Sequence, residues 1–226
     1  ESTYGNRNHQ PPKSYTEDLA HIIDETISRG GNVIIPAFAV GRTQELLYLF
    51  RRIKEENLVP DHPNFPVYVD SPLAVEATGI FLQVDHSCFD PETMAVIRQG
   101  VNPIWSRGVT LSVTAEESKL INADPHSKVI LSASGMCEAG RIRHHLKHNL
   151  WRPESTVAFV GFQGEGTLGR ALLEGAKQVK MFGEEIARGK FSQFLKRKWL
   201  APRALKKIAK LEKMKGIYYP YWTYDA

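Results

Sequence analysis

Apolar positions along this chain switch repeatedly between helical and strand spacing, and the switching predicts the architecture. Leu19, Ile22, Ile23, Thr26 and Ile27 form one helical stripe. Ser14 and Glu17 stand before it at the spacing of a capping box, and Gly30-Gly31 ends it. Asn32-Val33-Ile34-Ile35-Pro36 is then a short continuous apolar run, as in a parallel strand covered on both faces. A loop, Ala37 to Arg42, leads into a helix carrying Leu46, Leu47, Leu49, Phe50 and Ile53.

The unit recurs. Val67-Tyr68-Val69 runs into Asp70-Ser71-Pro72 and a helix from about Val75; Ser127 to Met136 opens a helix from Arg141 to Asn149. Thr156 to Val160 leads through Gly161–Thr167 to a helix ending near Gly175, and Val179-Lys180-Met181-Phe182 predicts a last short strand that pairs at a sheet edge. The pattern is weakest over 85–125, where a helix is read at Pro91–Arg98 and a strand at Val109–Val113. Strand and helix alternate, so the fold class is α/β: a doubly wound, mainly parallel sheet.

Charge divides the chain. Of its 29 Lys+Arg and 25 Asp+Glu residues, 11 basic and 2 acidic fall in 187–226, leaving the first 186 residues net negative and the tail strongly positive. The tail's apolar positions (Phe191, Phe194, Leu195, Leu200, then Leu205, Ile208, Leu211, Met214) lie on two helical stripes among lysines. That is a basic helical appendage, either docked on a core or binding nucleic acid through its lysines and the Tyr218–Tyr224 aromatics. No apolar run is long enough to span a bilayer, and the start has no signal-peptide h-region, so no membrane partner is expected. Cys88 and Cys137 form no C-x-x-C pair and read as buried, inert thiols of a reduced, cytoplasmic protein.

The chemistry concentrates where strands end. Phe38 to Arg42, Asp70-Ser71-Pro72, Ser134-Gly135-Met136 and Gln163 to Thr167 each place small or hydroxylated residues at the end of an apolar run. In a parallel sheet these ends converge, and together Arg42, Ser71, Ser134, Gly135, Gln163 and Thr167 would line one cleft for a phosphate-rich ligand. One such loop alone is simply a tight turn; four favour a cleft. Arg42 and Arg141 supply forked positive charge. Other chemistries fit poorly. The chain has no Walker loop, G-x-G-x-x-G fingerprint, G-x-S-x-G elbow or H-x-H-x-D-H run. His144 and His148 have zinc-ligand spacing but lack an acidic companion, so no metal ligands are assigned.

Taken together, five stretches resemble the β-CASP branch of the metallo-β-lactamase superfamily, a group of RNA-processing metallo-hydrolases. They are Glu1–Arg7, Pro36–Glu45, Asp70–Ala74, Ser134-Gly135-Met136 through Gly140-Arg141 to His144-His145-Leu146, and Val160–Gln163 with Gly166–Gly169. The resemblance runs from Glu1 to about Ile186. It implies a Rossmann-like β-CASP domain over 1–186, with the edge of a metallo-β-lactamase domain at both ends and the tail at 187–226. It also implies RNA held between the two domains and, in the complete enzyme, two zinc ions activating a water against a phosphodiester.

Glu1 matches an acidic residue that supports a histidine outside the cap. Phe38, Arg42, Ser71, Ser134, Gly135, Met136, Arg141, His144, His145, Gln163 and Thr167 match positions facing RNA phosphate or sugar. The zinc ligands of that family have no counterpart here. The chain therefore reads as part of a longer ribonuclease, partnered by RNA and a metallo-β-lactamase domain, with a homodimer left open. On its own it is expected to bind no zinc and cleave no RNA.

Phe191–Ala226 separately resembles part of a bacterial transcription-factor-IIB-type zinc-ribbon protein without its cysteines, through Trp199–Pro202, Leu205–Ile208 and Gly216–Ala226. The junction near Ala187 then reads as a fusion, natural or of reading frames. Two rival functions are a non-enzymatic nucleic-acid-binding module that uses the tail, and a Rossmann-like enzyme for a phosphorylated metabolite.

Overall fold

A computed structural model describes residues 15–81, 83 and 89–187; Glu1, Ser14, Cys88 and the 187–226 appendage beyond Ala187 lie outside the described residues. Five strands form one parallel sheet: β1 (Val33–Pro36), β2 (Val67–Asp70), β3 (Val109–Ser112), β4 (Val129–Ser132) and β5 (Thr156–Val157). Their spatial order is β3-β2-β4-β1-β5. Pro36 and Asp70 are both level with Ser132, and Asp70 with Ser112, so four carboxyl ends stand in a row.

Alternation along the strands gives each face its own core. Val33, Ile35, Val67, Val69, Val129 and Leu131 pack with α1 (Tyr15–Ser28) and α2 (Arg42–Glu55) through Leu19, Ile23, Leu47 and Phe50. On the opposite face, Ile34, Val157 and Phe159 pack with Ile142 and Leu146 of α6 (Ile142–Asn149) and Leu172 of α7 (Leu168–Glu174). A sheet covered on both faces explains why β1 and β4 read as unbroken apolar runs.

Three elements differ from the sequence-based expectation, each for a local reason. β5 leaves the ladder after Val157, although the apolar run continues to Val160. Alternate residues of β1 face alternate neighbours: the Ile34 carbonyl accepts from Ala158 N–H at 2.9 Å, whereas Ala37 N–H donates towards β4. Pro36 falls on the β5 side and has no N–H to donate, so the pairing stops there.

The helix after β2, α3 (Pro72–Phe81), begins three residues earlier than the pattern suggested. Proline is tolerated in a first turn, and Ser71 Oγ accepts from Ala74 N–H at 3.3 Å as a cap. The strand at 178–181, β6 (Gln178–Met181), does not join the main sheet. It turns through Phe182 and Gly183, at φ 53° and 81°, into β7 (Glu184–Ala187) as a separate antiparallel hairpin. Two consecutive positive φ values suit a two-residue hairpin turn.

The weakly patterned region contains the expected helix, α4 (Pro91–Arg98), and a helix that periodicity missed, α5 (Ala115–Ala123). Thr114 Oγ1 accepts from Glu117 N–H at 3.2 Å, and the Glu117 carboxylate accepts from Thr114 N–H at 2.9 Å, a reciprocal cap.

Phe50 is fully buried between α2 and the sheet, edge-on to Phe65 at 6.1 Å between ring centroids. Phe50→Ala should cost about 3–5 kcal/mol in a urea titration; a loss under about 1 kcal/mol would show that this face is not the core.

Candidate functional site

Two neighbouring strands send their chains in opposite directions. β1 continues through α2 across one face to β2, and β4 continues through α6 across the other to β5. Their loops, 37–41 and 133–141, therefore part at the carboxyl edge and leave a crevice, the usual ligand position in a doubly wound sheet.

The crevice is floored by close backbone approach. A Cβ on Gly135 would meet the Phe38 ring at 3.2 Å, so any larger residue there would press the ring away and loosen the contact between the two loops. Phe38 is half exposed above this contact. Ser134 lies in a tight loop, its Oγ accepting from Ala139 N–H at 3.4 Å.

The loop after β5 is tied to the loop after β4. Gln163 is buried, and its Nε2 donates to Gly135 O at 2.9 Å and Gly161 O at 3.2 Å. Gly169 N–H donates to Met136 O at 3.0 Å. Thr167 caps α7, accepting from Arg170 N–H at 3.2 Å and donating to Gly164 O at 2.7 Å. The Gln163 carboxamide oxygen, buried without a hydrogen-bond partner, lies where a Cβ on Gly169 would fall, 1.8 Å away. Phe38, Ser134, Gly135, Met136, Gln163 and Thr167 thus belong to one connected rim.

Arg42 opens α2 beside this rim. Its guanidinium pairs with Glu45 one turn on, both side chains 40% exposed. A pair this open to water contributes little and yields easily to a stronger anion. Ser71 is buried as the cap of α3, so its hydroxyl is already engaged.

Beneath the rim lies a second cluster, centred on a residue outside the sequence-based candidates. Asp70 ends β2 with no solvent exposure. Its carboxylate accepts from Ser118 Oγ at 2.6 Å, from Arg141 Nη1 at 2.8 Å, and faces His145 Nε2 at 2.7 Å. Burial pushes the Asp70 carboxyl upward, but hydrogen bonds from His145, Ser118 and Arg141 outweigh it and hold it at about 2.

Arg141 also donates to Val113 O at 2.6 Å. Much of the fork expected to clamp an external anion is therefore turned inward. His145, grouped by its motif with the RNA-facing residues, is wholly buried, its Nδ1 2.9 Å from Asn122 Oδ1. It braces α6 against β2 and α5. His144 is exposed and stacks on Phe182 at 4.6 Å between ring centroids. Asp70, Ser118 and Asn122 were legible in part: an acidic residue ending a buried strand demands partners, and Thr114-x-x-Glu117 announces the helix that brings two of them.

The donor set does not fit a zinc ion. Among the described residues no three His, Cys, Asp or Glu side chains converge. Burial, then the neighbouring His145 and Lys147, lowers His148, and among the described residues no carboxylate completes a site with it. Cys137 is buried, and burial pushes its thiol up to about 12, as expected of an inert residue. Among the described residues no helix is long and apolar enough to cross a membrane.

Residues 43–172, more than half of the chain and the whole span from α2 to α7, match the Beta-Casp domain. The chain belongs to the β-CASP family. It is 37% identical over 186 residues to Ribonuclease TTHA0252 of Thermus thermophilus, covering 82% of this chain and 42% of that protein. It is 34% identical to the transcription termination factor FttA of Methanosarcina mazei, over 81% of this chain and 29% of that protein. It is 35% identical to an RNase J-like protein of Methanocaldococcus jannaschii, over 84% of this chain and 43% of that protein. The chain thus spans less than half the length of these relatives. The resemblance of residues 191–226 to a zinc-ribbon protein finds no support in these β-CASP matches.

Two predictions follow from the geometry of the β-CASP rim. Asp70→Asn leaves Arg141 and His145 facing a neutral amide and should cost about 3–5 kcal/mol, read by urea denaturation at pH 7. Because folding depresses the Asp70 carboxyl, its stabilisation is complete above about pH 4 and fades as pH falls towards 2. The wild type should lose roughly 2 kcal/mol across that window, and the variant should lack this component. Gly169→Ala should drive the Gln163 carboxamide from its seat at a cost of about 1–3 kcal/mol, and an unchanged midpoint would show that the two loops are not locked.

Proposed function

We propose that this chain is the RNA-gripping part of a β-CASP ribonuclease, holding a single strand along the crevice between the β1 and β4 loops. The observation that carries this reading is the tying of the β4 and β5 loops at Gln163–Gly135, against the Phe38 ring, at the sheet's divergence point in a β-CASP chain. Such a rim offers what a phosphodiester backbone needs: backbone that a phosphate can approach closely, the hydroxyls of Ser134 and Thr167, and a yielding Arg42–Glu45 pair. The exposed Phe38 ring supplies a face on which a base can stack. Names of the relatives, a ribonuclease and an RNase J-like protein, support RNA as the polyanion.

Phosphodiester hydrolysis belongs, on this reading, to a longer protein in which a metallo-β-lactamase domain supplies zinc. The described residues do not fit the metal. The chain alone is expected to bind RNA and leave it uncut.

Anisotropy of a labelled 15-nucleotide RNA should show saturable binding. Arg42→Ala should weaken it about three- to tenfold and lower the salt slope by about 0.7, the value of one single-strand phosphate contact. An unaltered affinity and slope for Arg42→Ala would remove the crevice from the reading. If instead neutralising Lys206, Lys207 and Lys210 abolishes binding while Arg42→Ala does nothing, the basic tail carries RNA and the non-enzymatic module is the better account. Zinc-dependent, chelator-sensitive cleavage by the purified chain would overturn the division between grip and chemistry.

A further inference from the structure

The opposite edge of the sheet carries a second, unassigned cavity. The segments that enter β2 and β3 meet the end of α2 there and line an open pocket of about 320 Å³. That is at the small end of ligand-pocket sizes, which run from about 300 to 1,000 Å³. Its walls include Arg51, Lys54, Glu55, Trp105, Ser106 and Arg107.

Each wall residue has a distinct state. The Arg51 side chain is buried and held, donating to Pro103 O at 2.8 Å and pairing with Glu55, so the one carboxylate of the lining is already engaged. Lys54 lies over the Phe65 ring at 4.6 Å and donates to Arg107 O at 2.5 Å, with no carboxylate partner among the described residues. Burial lowers its ammonium to about 8, which leaves it mainly charged at neutral pH. Trp105 is 39% exposed, and Arg107 is exposed beside it. Ser106 Oγ is buried and has no hydrogen-bond partner.

We infer that this cavity binds a nucleotide unit: the base stacks on Trp105, the phosphate sits between Lys54 and Arg107, and Ser106 Oγ meets a polar edge of base or ribose. The combination argues for that class. A bare anion would leave the exposed indole without a purpose, and an apolar ligand would leave a desolvated ammonium and an orphan hydroxyl unmatched. Aromatic stacking beside unpaired cations is the way proteins hold single nucleotides of a strand. The residues are separate from the crevice rim, so this site stands or falls independently of the function proposed above. The same chemistry is presented by a free mononucleotide and by one residue of an RNA strand.

The two sources separate in one experiment on the full chain. ¹⁵N-labelled protein is titrated with adenosine 5′-monophosphate and with a 15-nucleotide oligoadenylate while the Trp105 indole resonance is followed, assigned through Trp105→Phe. A saturable shift with both ligands, weakened at least threefold by Arg107→Ala, is expected if the cavity reads RNA. A shift with the mononucleotide but not the oligonucleotide assigns the site to a free nucleotide. Inorganic phosphate should shift Trp105 far less than either. Lys54→Met tests the ammonium, and should it unfold the chain, the exposed Arg107 still decides the matter. No Trp105 shift with either ligand up to about 10 mM, above the millimolar range of weak sites, overturns the inference.

Discussion

A carboxylate sealed from water at the end of a strand is the constraint on which this β-CASP domain turns. Asp70 has no solvent exposure, and an unpaired buried charge would cost several kcal/mol. The fold meets that cost by bringing Ser118 from α5, Arg141 from the start of α6 and His145 from within α6 to one group. Two segments far from β2 in sequence, α5 and the start of α6, are thereby fixed at its carboxyl end. Ser132 Oγ adds a fourth tie, donating to Asp70 O at 2.8 Å from the neighbouring strand. Since Arg141 ends the loop that begins at Ala133, the position of the crevice wall depends on Asp70, a residue with no exposed surface.

The rim above is built on the opposite principle. Where Asp70 gathers charge and excludes water, Gly135, Gly169 and Ser134 remove bulk so that backbones can meet. Gln163 shows how the two requirements combine. It is a polar side chain held inside the rim, its amide nitrogen satisfied by two carbonyls and its oxygen resting where only a glycine leaves space. A rim held by such contacts is rigid before a ligand arrives, and preorganisation of that kind reduces the ordering cost of binding.

The architecture was legible because a buried parallel sheet leaves a strong signature. Val33–Pro36 and Val129–Ser132 are continuous apolar runs followed by small residues, and both proved to be central strands. What failed was set by single backbone groups or by partners distant in sequence. Pro36 cuts the β5 ladder through one missing N–H, an effect invisible in the apolar run it interrupts. α5 carries only two fully buried positions, Ser118 and Ile121, so its periodicity was faint, and its capping box was the better clue. At the site, the motif residues were identified but not their direction: Arg141 and His145 face inward because Asp70 claims them, and that pairing spans more than 70 positions of chain.

This division bears on how a β-CASP cap tells a polyanion from an ordinary anion. The inward-turned Arg141 contributes little field at the surface, and Arg42 is masked by Glu45 until something displaces it. On the proposed reading, a single weakly held phosphate would gain little by opening that pair and would find no other charged side chain among Phe38, Ser134, Gly135, Met136, Gln163 and Thr167. A strand whose neighbouring phosphates and bases sat on the Ser134 loop, Thr167 and Phe38 would, on the same reading, present the next phosphate to Arg42 at high effective concentration, which would make the exchange favourable. Selectivity for a strand over its monomer would then come from the proposed spacing between the Ser134 loop, Thr167 and Arg42, which the Gln163–Gly135 tie and the β1–β4 register hold fixed.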